Sequence, residues 1–389
     1  MENTTNSTTK KVGILGGGQL GRMLLQAAAN YPVDTFVLEN DENCPAAHLC
    51  HQFTKGDITN FEDVYNFGKA LDAITIEIEN VNDAALEKLE QEGVKIYPSP
   101  AALKIIKNKI LQKQFYNAHS IPTSDFFITQ NKTELLQHRN FLPAVHKLAM
   151  GGYDGRGVQV IKSEGDLQKG FDAPSILEKM VTIKKEIAVI IAVNDNGEQA
   201  LYPAVDMLFD PELNLLDYQL SPATLPDVLL DNINMVATKL VAALNSPGLF
   251  AVELFVDQND KVWVNETAPR VHNSGHQTIE ANYSSQFDML WRVMLNYPLG
   301  NTAAILPAAI VNLLGAEGHN GEASYEGLSD IMKLENIFVH IYGKKQTKPG
   351  RKMGHVTILS KDKQILTQLA NKIKNTLRVV TAAPAVKEL

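Results

Sequence analysis

Two glutamates carry the first chemical suggestion in this chain. Glu253 lies inside the apolar run Leu249-Phe-Ala-Val-Glu-Leu-Phe-Val256, and Glu266 ends Lys261-Val-Trp-Val-Asn-Glu. Burying a carboxylate among such side chains is costly unless a cation compensates it. Two acids on neighbouring antiparallel strands form a hard-oxygen site, suited to Mg²⁺ (or Mn²⁺) bridging phosphate oxygens. The turn decides how they meet. A four-residue loop, Gln258 to Lys261, sets Glu253 opposite Glu266; a three-residue loop sets it opposite Asn265, also a usable ligand. The plain alternative is a structural ion pair with Arg270 or a lysine.

Phosphate chemistry has further candidates upstream. Lys147 lies on the apolar stretch Pro143 to Leu148, where a strand holds its ammonium at a fixed point. Gly151-Gly152-Tyr153-Asp154-Gly155-Arg156-Gly157 has four glycines in seven residues. A flap presenting backbone N–H groups to phosphates needs that freedom, whereas a plain turn rarely does. Glu178-Lys179-Met180-Val181 follows a strand, Ser175 to Leu177, and can offer backbone groups to an adenine edge. Glu186 is placed to accept from ribose hydroxyls.

A second glycine cluster points elsewhere. Gly16-Gly17-Gly18-Gln19-Leu20-Gly21 fits G-x-G-x-x-G between a strand and a helix, and Glu39 ends the next strand. Alone, this pattern reads as a dinucleotide-binding dehydrogenase. Physically it says only that N–H groups face an anion at a helix N-terminus. Glu77 and Glu79 alternate with Ile76 and Ile78 at the end of an expected strand, so both acids point to one face. With Gln19 they can receive a small polar ring. Lys344 to Lys352 is a strongly basic loop in an acidic chain. His272 and His276, four apart, evoke zinc, but no third ligand is evident.

Strands alternating with helices over residues 11–100 imply a Rossmann-like parallel sheet, after a polar tail at 1–10 expected to be disordered. Residues 101–182 read as a helical linker and a small lid. Residues 183–306 form a β-rich core with a helix at Asp227 to Leu244, and 307–389 a small β-rich C-terminal domain. The class is α/β and α+β. With 389 residues, 44% hydrophobic, several domains are expected. The net charge of −8 argues against nucleic acid as a partner, and no apolar run is long enough to span a membrane. Two cysteines, Cys44 and Cys50, and no signal-like apolar segment fit a reducing cytoplasm.

The order of these features resembles the ATP-grasp superfamily, and within it the N5-carboxyaminoimidazole ribonucleotide synthetases. The matching stretches are Ile14-Leu-Gly-Gly-Gly-Gln-Leu-Gly-Arg-Met, Glu77-Ile-Glu-Asn-Val, Gly152-Tyr-Asp-Gly-Arg-Gly, Asn265-Glu-Thr-Ala-Pro-Arg-Val-His-Asn-Ser-Gly-His and Pro349-Gly-Arg-Lys-Met-Gly-His. The resemblance implies a three-part ATP-grasp fold and a homodimer. It implies that MgATP activates bicarbonate as carboxyphosphate, and that the amine of 5-aminoimidazole ribonucleotide is then carboxylated. Lys109, Lys147, Gly152 to Gly157, Glu178 to Val181, Glu186, Asn265 and Glu266 would hold ATP, and Glu253 and Glu266 the metal. Gln19, Glu77, Glu79, Tyr153, Arg270, Asn273, Lys344 and Arg351 would hold the ribotide, the last two at its phosphate. Arg270 would stabilise carboxyphosphate, and His272 or Asp154 would manage the amine proton. Three positions depart from the family pattern: Lys109 replaces a common arginine, Val158 a glutamine and Gln277 a tryptophan. The alternatives are another purine-ribotide ATP-grasp ligase, such as a formate-dependent glycinamide ribonucleotide transformylase, and the dehydrogenase.

Overall fold

The computed structural model describes residues 9–152, 157–209 and 216–382. The expected tail, apart from its last two residues, and Tyr153, Asp154, Gly155 and Arg156 lie outside the described residues.

The N-terminal region runs β1 (Lys10–Leu15), α1 (Gln19–Ala28), β2 (Val33–Glu39), β3 (Gln52–Lys55), α2 (Phe61–Gly68), β4 (Ala73–Ile76), α3 (Asp83–Gln91) and β5 (Lys95–Tyr97). Its parallel sheet has the order β3-β2-β1-β4-β5. β3 was not expected: Gln52-Phe-Thr-Lys is short, polar and at the sheet edge, so it shows no hydrophobic run. β4 is shorter than expected and stops at Ile76, because Glu77 turns inward.

Two helices, α4 (Pro100–Lys107) and α5 (Lys109–Ala118), lead onward. The Asn108 side chain breaks them apart by accepting from the Ile110 and Leu111 N–H groups. The lid contains β6 (Phe126–Thr129), α6 (Lys132–Gln137), β7 (Ala144–Leu148), β8 (Val158–Ile161) and β9 (Ser175–Lys179). Its antiparallel sheet has the order β6-β9-β7-β8.

The core contains β10 (Ile183–Val193), β11 (Gln199–Leu201), β12 (Val205–Phe209), β13 (Leu216–Ser221), α7 (Asp227–Leu244), β14 (Gly248–Asp257), β15 (Val262–Ala268), α8 (Thr278–Ala281) and α9 (Gln286–Met294). Then come β16 (Ala308–Leu314), β17 (Gly321–Glu326), α10 (Leu328–Ile331), β18 (Ile337–Ile341), β19 (Gln346–Thr347), β20 (Lys352–Leu359), α11 (Lys363–Thr376) and β21 (Arg378–Thr381). A single nine-stranded sheet joins core and C-terminal region, because β13 pairs with β16. The sequence boundary at 306/307 is therefore crossed by a continuous sheet. Tertiary pairing of this kind leaves no local signal.

Strand alternation assigns the faces. Ile187, Val189 and Ile191 of β10 and Phe250, Val252 and Leu254 of β14 pack under α7. Their alternates, including Glu186 and Glu253, face away from it. On that side α9 meets α1, where the buried Trp291 indole donates to Leu24 O at 2.7 Å. The N-terminal sheet is thereby docked to the core.

Candidate active site

The hairpin β14–β15 resolves the open register in an unexpected way. At the turn, the Asp257 N–H donates to Lys261 O at 3.0 Å, the three-residue arrangement that leads towards Glu253 opposite Asn265. A β-bulge then intervenes: Leu254 pairs with Val264, but Glu253 pairs with Glu266. Asn265 is the extra residue, so two consecutive side chains turn towards the lid. Asn265 Oδ1 accepts from Lys147 Nζ at 2.9 Å, and Glu266 Oε2 from Lys109 Nζ at 2.5 Å.

Lys147 of β7 also reaches Glu178 Oε2 at 3.0 Å. The other Glu178 oxygen lies 3.1 Å from Lys113 Nζ. Lys113, on α5 and 2% exposed in its side chain, was not singled out from sequence. Its only signal is its place four residues after Lys109, on the same helix face. Burial pushes the Lys113 ammonium down to about 8. Burial works against the Glu178 charge, yet Lys147 and Lys113 hold its carboxyl below the ordinary range. Burial likewise opposes the charge on Lys109, and Glu266, Glu178 and Glu253 outweigh it.

The two metal candidates are electrostatically unlike. Burial, then Glu266 and Glu186, push Glu253 well up, while Lys109 holds Glu266 down. His272 Nε2 is 3.5 Å from Glu253 Oε1, and its Nδ1 meets Ser274 Oγ at 2.9 Å. Asn273 starts the 3₁₀ turn between them and His276. His276 points away from this group: its ring is buried, stacked on His355 at 4.5 Å between centroids, and His355 stacks on His340. The two histidines of the zinc reading thus part company.

Glu186 is raised to about 7, chiefly by burial, with Lys147 opposing. Its folded value lies above the ordinary 4.5. Its contribution to stability is therefore complete below about pH 4.5 and is lost as pH rises through 7. Glu186→Gln should accordingly raise the melting temperature of the nucleotide-free protein at pH 8 and leave it nearly unchanged at pH 4.5. Equal shifts at both pH values would contradict that environment.

The adenine-edge segment is partly committed. β9 extends to Lys179, whose N–H donates to Asp125 O at 2.8 Å, and the Met180 N–H donates to Pro143 O at 3.2 Å. These two residues can therefore offer carbonyls but not amides, a correction to the wider expectation. The Val181 N–H has no partner among the described residues. Gly152 and Gly157 close the base of the flap. Gly157 has φ +74°, and a Cβ there would come within 3.1 Å of Gly152 Cα. Val158, the flap departure, begins β8 and is exposed.

The first glycine turn is filled by the protein itself. Glu77 Oε1 accepts from Gly18 N–H at 2.7 Å, Glu77 Oε2 from Gly21 N–H at 2.9 Å, and Glu39 Oε2 from Gly17 N–H at 3.1 Å. A Cβ at Gly18 would lie 2.5 Å from Glu77 Oε1, so glycine is needed here for a carboxylate. Glu77 and Glu79 therefore lie just past the end of β4, and Glu77 holds the glycine turn. Burial raises the Glu77 carboxyl, with the Gly21 and Gly18 N–H groups opposing. Each oxygen keeps a further acceptor site, so Glu77 can meet a ligand only while holding the turn. Gln19 begins α1 beside it. With these donors taken, millimolar NAD⁺ or NADH should produce no thermal shift; a clear stabilisation would reopen the dinucleotide reading.

Glu79 lies past the end of β4, and its Oε1 is 2.9 Å from Arg270 Nη2. Arg270 Nη1 donates to Val271 O at 3.0 Å, and its buried Nε has no partner among the described residues. In the basic loop, Lys344 Nζ donates to Lys352 O at 2.7 Å and Arg351 Nη1 to Gln346 O at 2.7 Å. Lys352, the last residue of the basic loop, projects a charge that favours ionised Glu253. Gln277, the last departure, is buried.

Known proteins share this fold. The chain matches the ribonucleotide synthetase preATP-grasp domain over residues 9–107, the ATP-grasp domain over 114–287 and the phosphoribosylaminoimidazole carboxylase C-terminal domain over 308–369. It is 34% identical to N5-carboxyaminoimidazole ribonucleotide synthase of Synechococcus elongatus, over 90% of each chain. It also matches the chloroplastic phosphoribosylaminoimidazole carboxylase of Vigna aconitifolia at 36% identity, but spans only 64% of that longer protein. The Thermotoga maritima synthetase superposes with a TM-score of 0.89 at 37% identity, covering 96% of this chain and all of that one (100%). An Aspergillus clavatus synthase crystallised with ADP and 5-aminoimidazole ribonucleotide gives 0.86 at 30% identity, covering 94% and 98%. On fold and sequence together, the chain belongs to the N5-carboxyaminoimidazole ribonucleotide synthase family, the ATP-grasp ligases of purine biosynthesis.

Proposed function

We propose that this chain, like the enzymes it matches, carboxylates the exocyclic amine of 5-aminoimidazole ribonucleotide in two steps. A bicarbonate oxygen bonds to the γ-phosphorus of ATP while the β–γ bridging oxygen leaves with ADP. The amine nitrogen then attacks the carboxyl carbon of carboxyphosphate, inorganic phosphate departs, and the amine gives up a proton.

The bulged hairpin is the observation that carries this reading, since it turns Glu253, Asn265 and Glu266 towards Lys147 and Lys109. A divalent cation fits this donor set. Glu253 is a half-buried carboxylate whose charge burial disfavours, and a cation would offset that cost. Glu253 and Glu266 would hold Mg²⁺, which supplies charge neutralisation for the transferring phosphoryl group. Lys147, Lys109 and Gly152 to Gly157 bind the phosphates. The Val181 N–H and the carbonyls of Glu178 to Met180 read adenine, and Glu186 takes the ribose. Lys344 and Arg351 grip the ribotide phosphate, Arg351 as a planar fork. Gln19, Glu77, Glu79, Asn273 and Tyr153 orient its ring and sugar, and Arg270 stabilises the carboxyphosphate anion. His272, close to Glu253, or Asp154 takes the amine proton. The protein acts as a homodimer in the cytoplasm.

The test mixes protein, MgATP, bicarbonate and the ribotide and follows phosphate release. Release should need all three substrates, and the carbamate should form with it. Release that is indifferent to the ribotide would reject this function.

A further inference from the structure

Arg270 is already engaged by its own chain. One arm of its guanidinium meets Glu79 at 2.9 Å, the other a backbone carbonyl at 3.0 Å, and the buried Nε has no partner among the described residues. Glu79 is anchored in turn. It follows Glu77, which both glycine N–H groups hold, and its own carbonyl accepts from the Val81 N–H at 2.9 Å. A carboxylate this close cancels much of the positive potential that a dianionic carboxyphosphate needs. Both side chains are largely shielded, at 17% and 28% exposure, so solvent screens the pair only in part.

We propose that Glu79 is a positioning residue that keeps Arg270 neutralised until the ribotide arrives. This rests on the function proposed above. The exocyclic amine is a hydrogen-bond donor, and Glu79, ion-paired with Arg270, keeps acceptor lone pairs for it. When the amine binds, Glu79 shares its charge with that donor and Arg270 turns its fork to the carboxylated phosphate. One hydrogen bond thus aims the nucleophile and switches on the cation. Carboxyphosphate, which water destroys, then forms only when an acceptor is present.

Glu79→Gln keeps the shape and removes the charge. It should raise ribotide-free phosphate release from MgATP and bicarbonate about tenfold over the wild type. It should also lower the carbamate formed per phosphate released, and raise KM for the ribotide more than KM for ATP. Glu79→Asp, which draws the carboxylate back by one methylene, should shift the same quantities in the same direction, less strongly. A merely structural Glu79 predicts the opposite sign: disordering Arg270 would reduce ribotide-free and ribotide-dependent release together, with the ratio unchanged. That outcome in either folded variant overturns the proposal. Wild-type protein that fails to turn over all three substrates would instead remove the underlying function.

Discussion

Glu266→Gln is expected to lower turnover about a thousandfold, roughly 4 kcal/mol of transition-state stabilisation, while the protein stays folded. The amide keeps the size and one acceptor oxygen but loses the charge that pairs with a divalent cation. Its effect on stability should be small. The Glu266 side chain is 42% exposed, and its ion pair with Lys109 is shared with solvent. The loss should therefore appear in phosphate release at saturating substrates, with a melting temperature close to wild type and a higher Mg²⁺ concentration for half-activity. Unchanged turnover would remove Glu266 from the metal site.

Glu178→Gln should act in the opposite way, through the fold. Glu178 is the shared anion for two ammonium groups, Lys113 at 3.1 Å and Lys147 at 3.0 Å, and none of the three side chains is more than 11% exposed. Removing one partner of a buried pair leaves an uncompensated charge, at a cost of about 3–5 kcal/mol. Thermal melts of the nucleotide-free variant should show a large fall in the midpoint. Adding Lys113→Met to Glu178→Gln should recover part of it, because the deepest unpaired ammonium goes as well. A double variant less stable than Glu178→Gln alone would show that Lys113 contributes through something other than this pair. Since Glu178 sits on β9 just before the adenine segment, the single variant should also weaken ATP binding.

The contrast between these two acids illustrates what was readable in advance. Glu253 and Glu266 stand out because a carboxylate in a β-branched and aromatic run demands a cation. Glu178 drew attention only for its place after a strand, and its neighbours supply its role. Lys113 looks like any helical lysine, and its burial depends on β9, more than fifty residues away in the chain. The glycine turn after β1 is the instructive case. Local sequence correctly indicates N–H groups facing an anion, but the anion is Glu77, brought there from β4 by parallel pairing. The same inward turn ended β4 at Ile76 and sent Glu79 to Arg270.

Alternation, turn residues and apolar runs reveal the longer elements, because each reflects how a short segment buries its own side chains. Hence the parallel sheet, α7 at Asp227–Leu244 and the hairpin β14–β15 were all legible from the chain alone. The bulge at Asn265, the sheet running on from β13 to β16 and the pairing of Arg270 with Glu79 were not. Each depends on which distant backbone or charge lies opposite, and only the folded chain brings those partners within hydrogen-bonding reach.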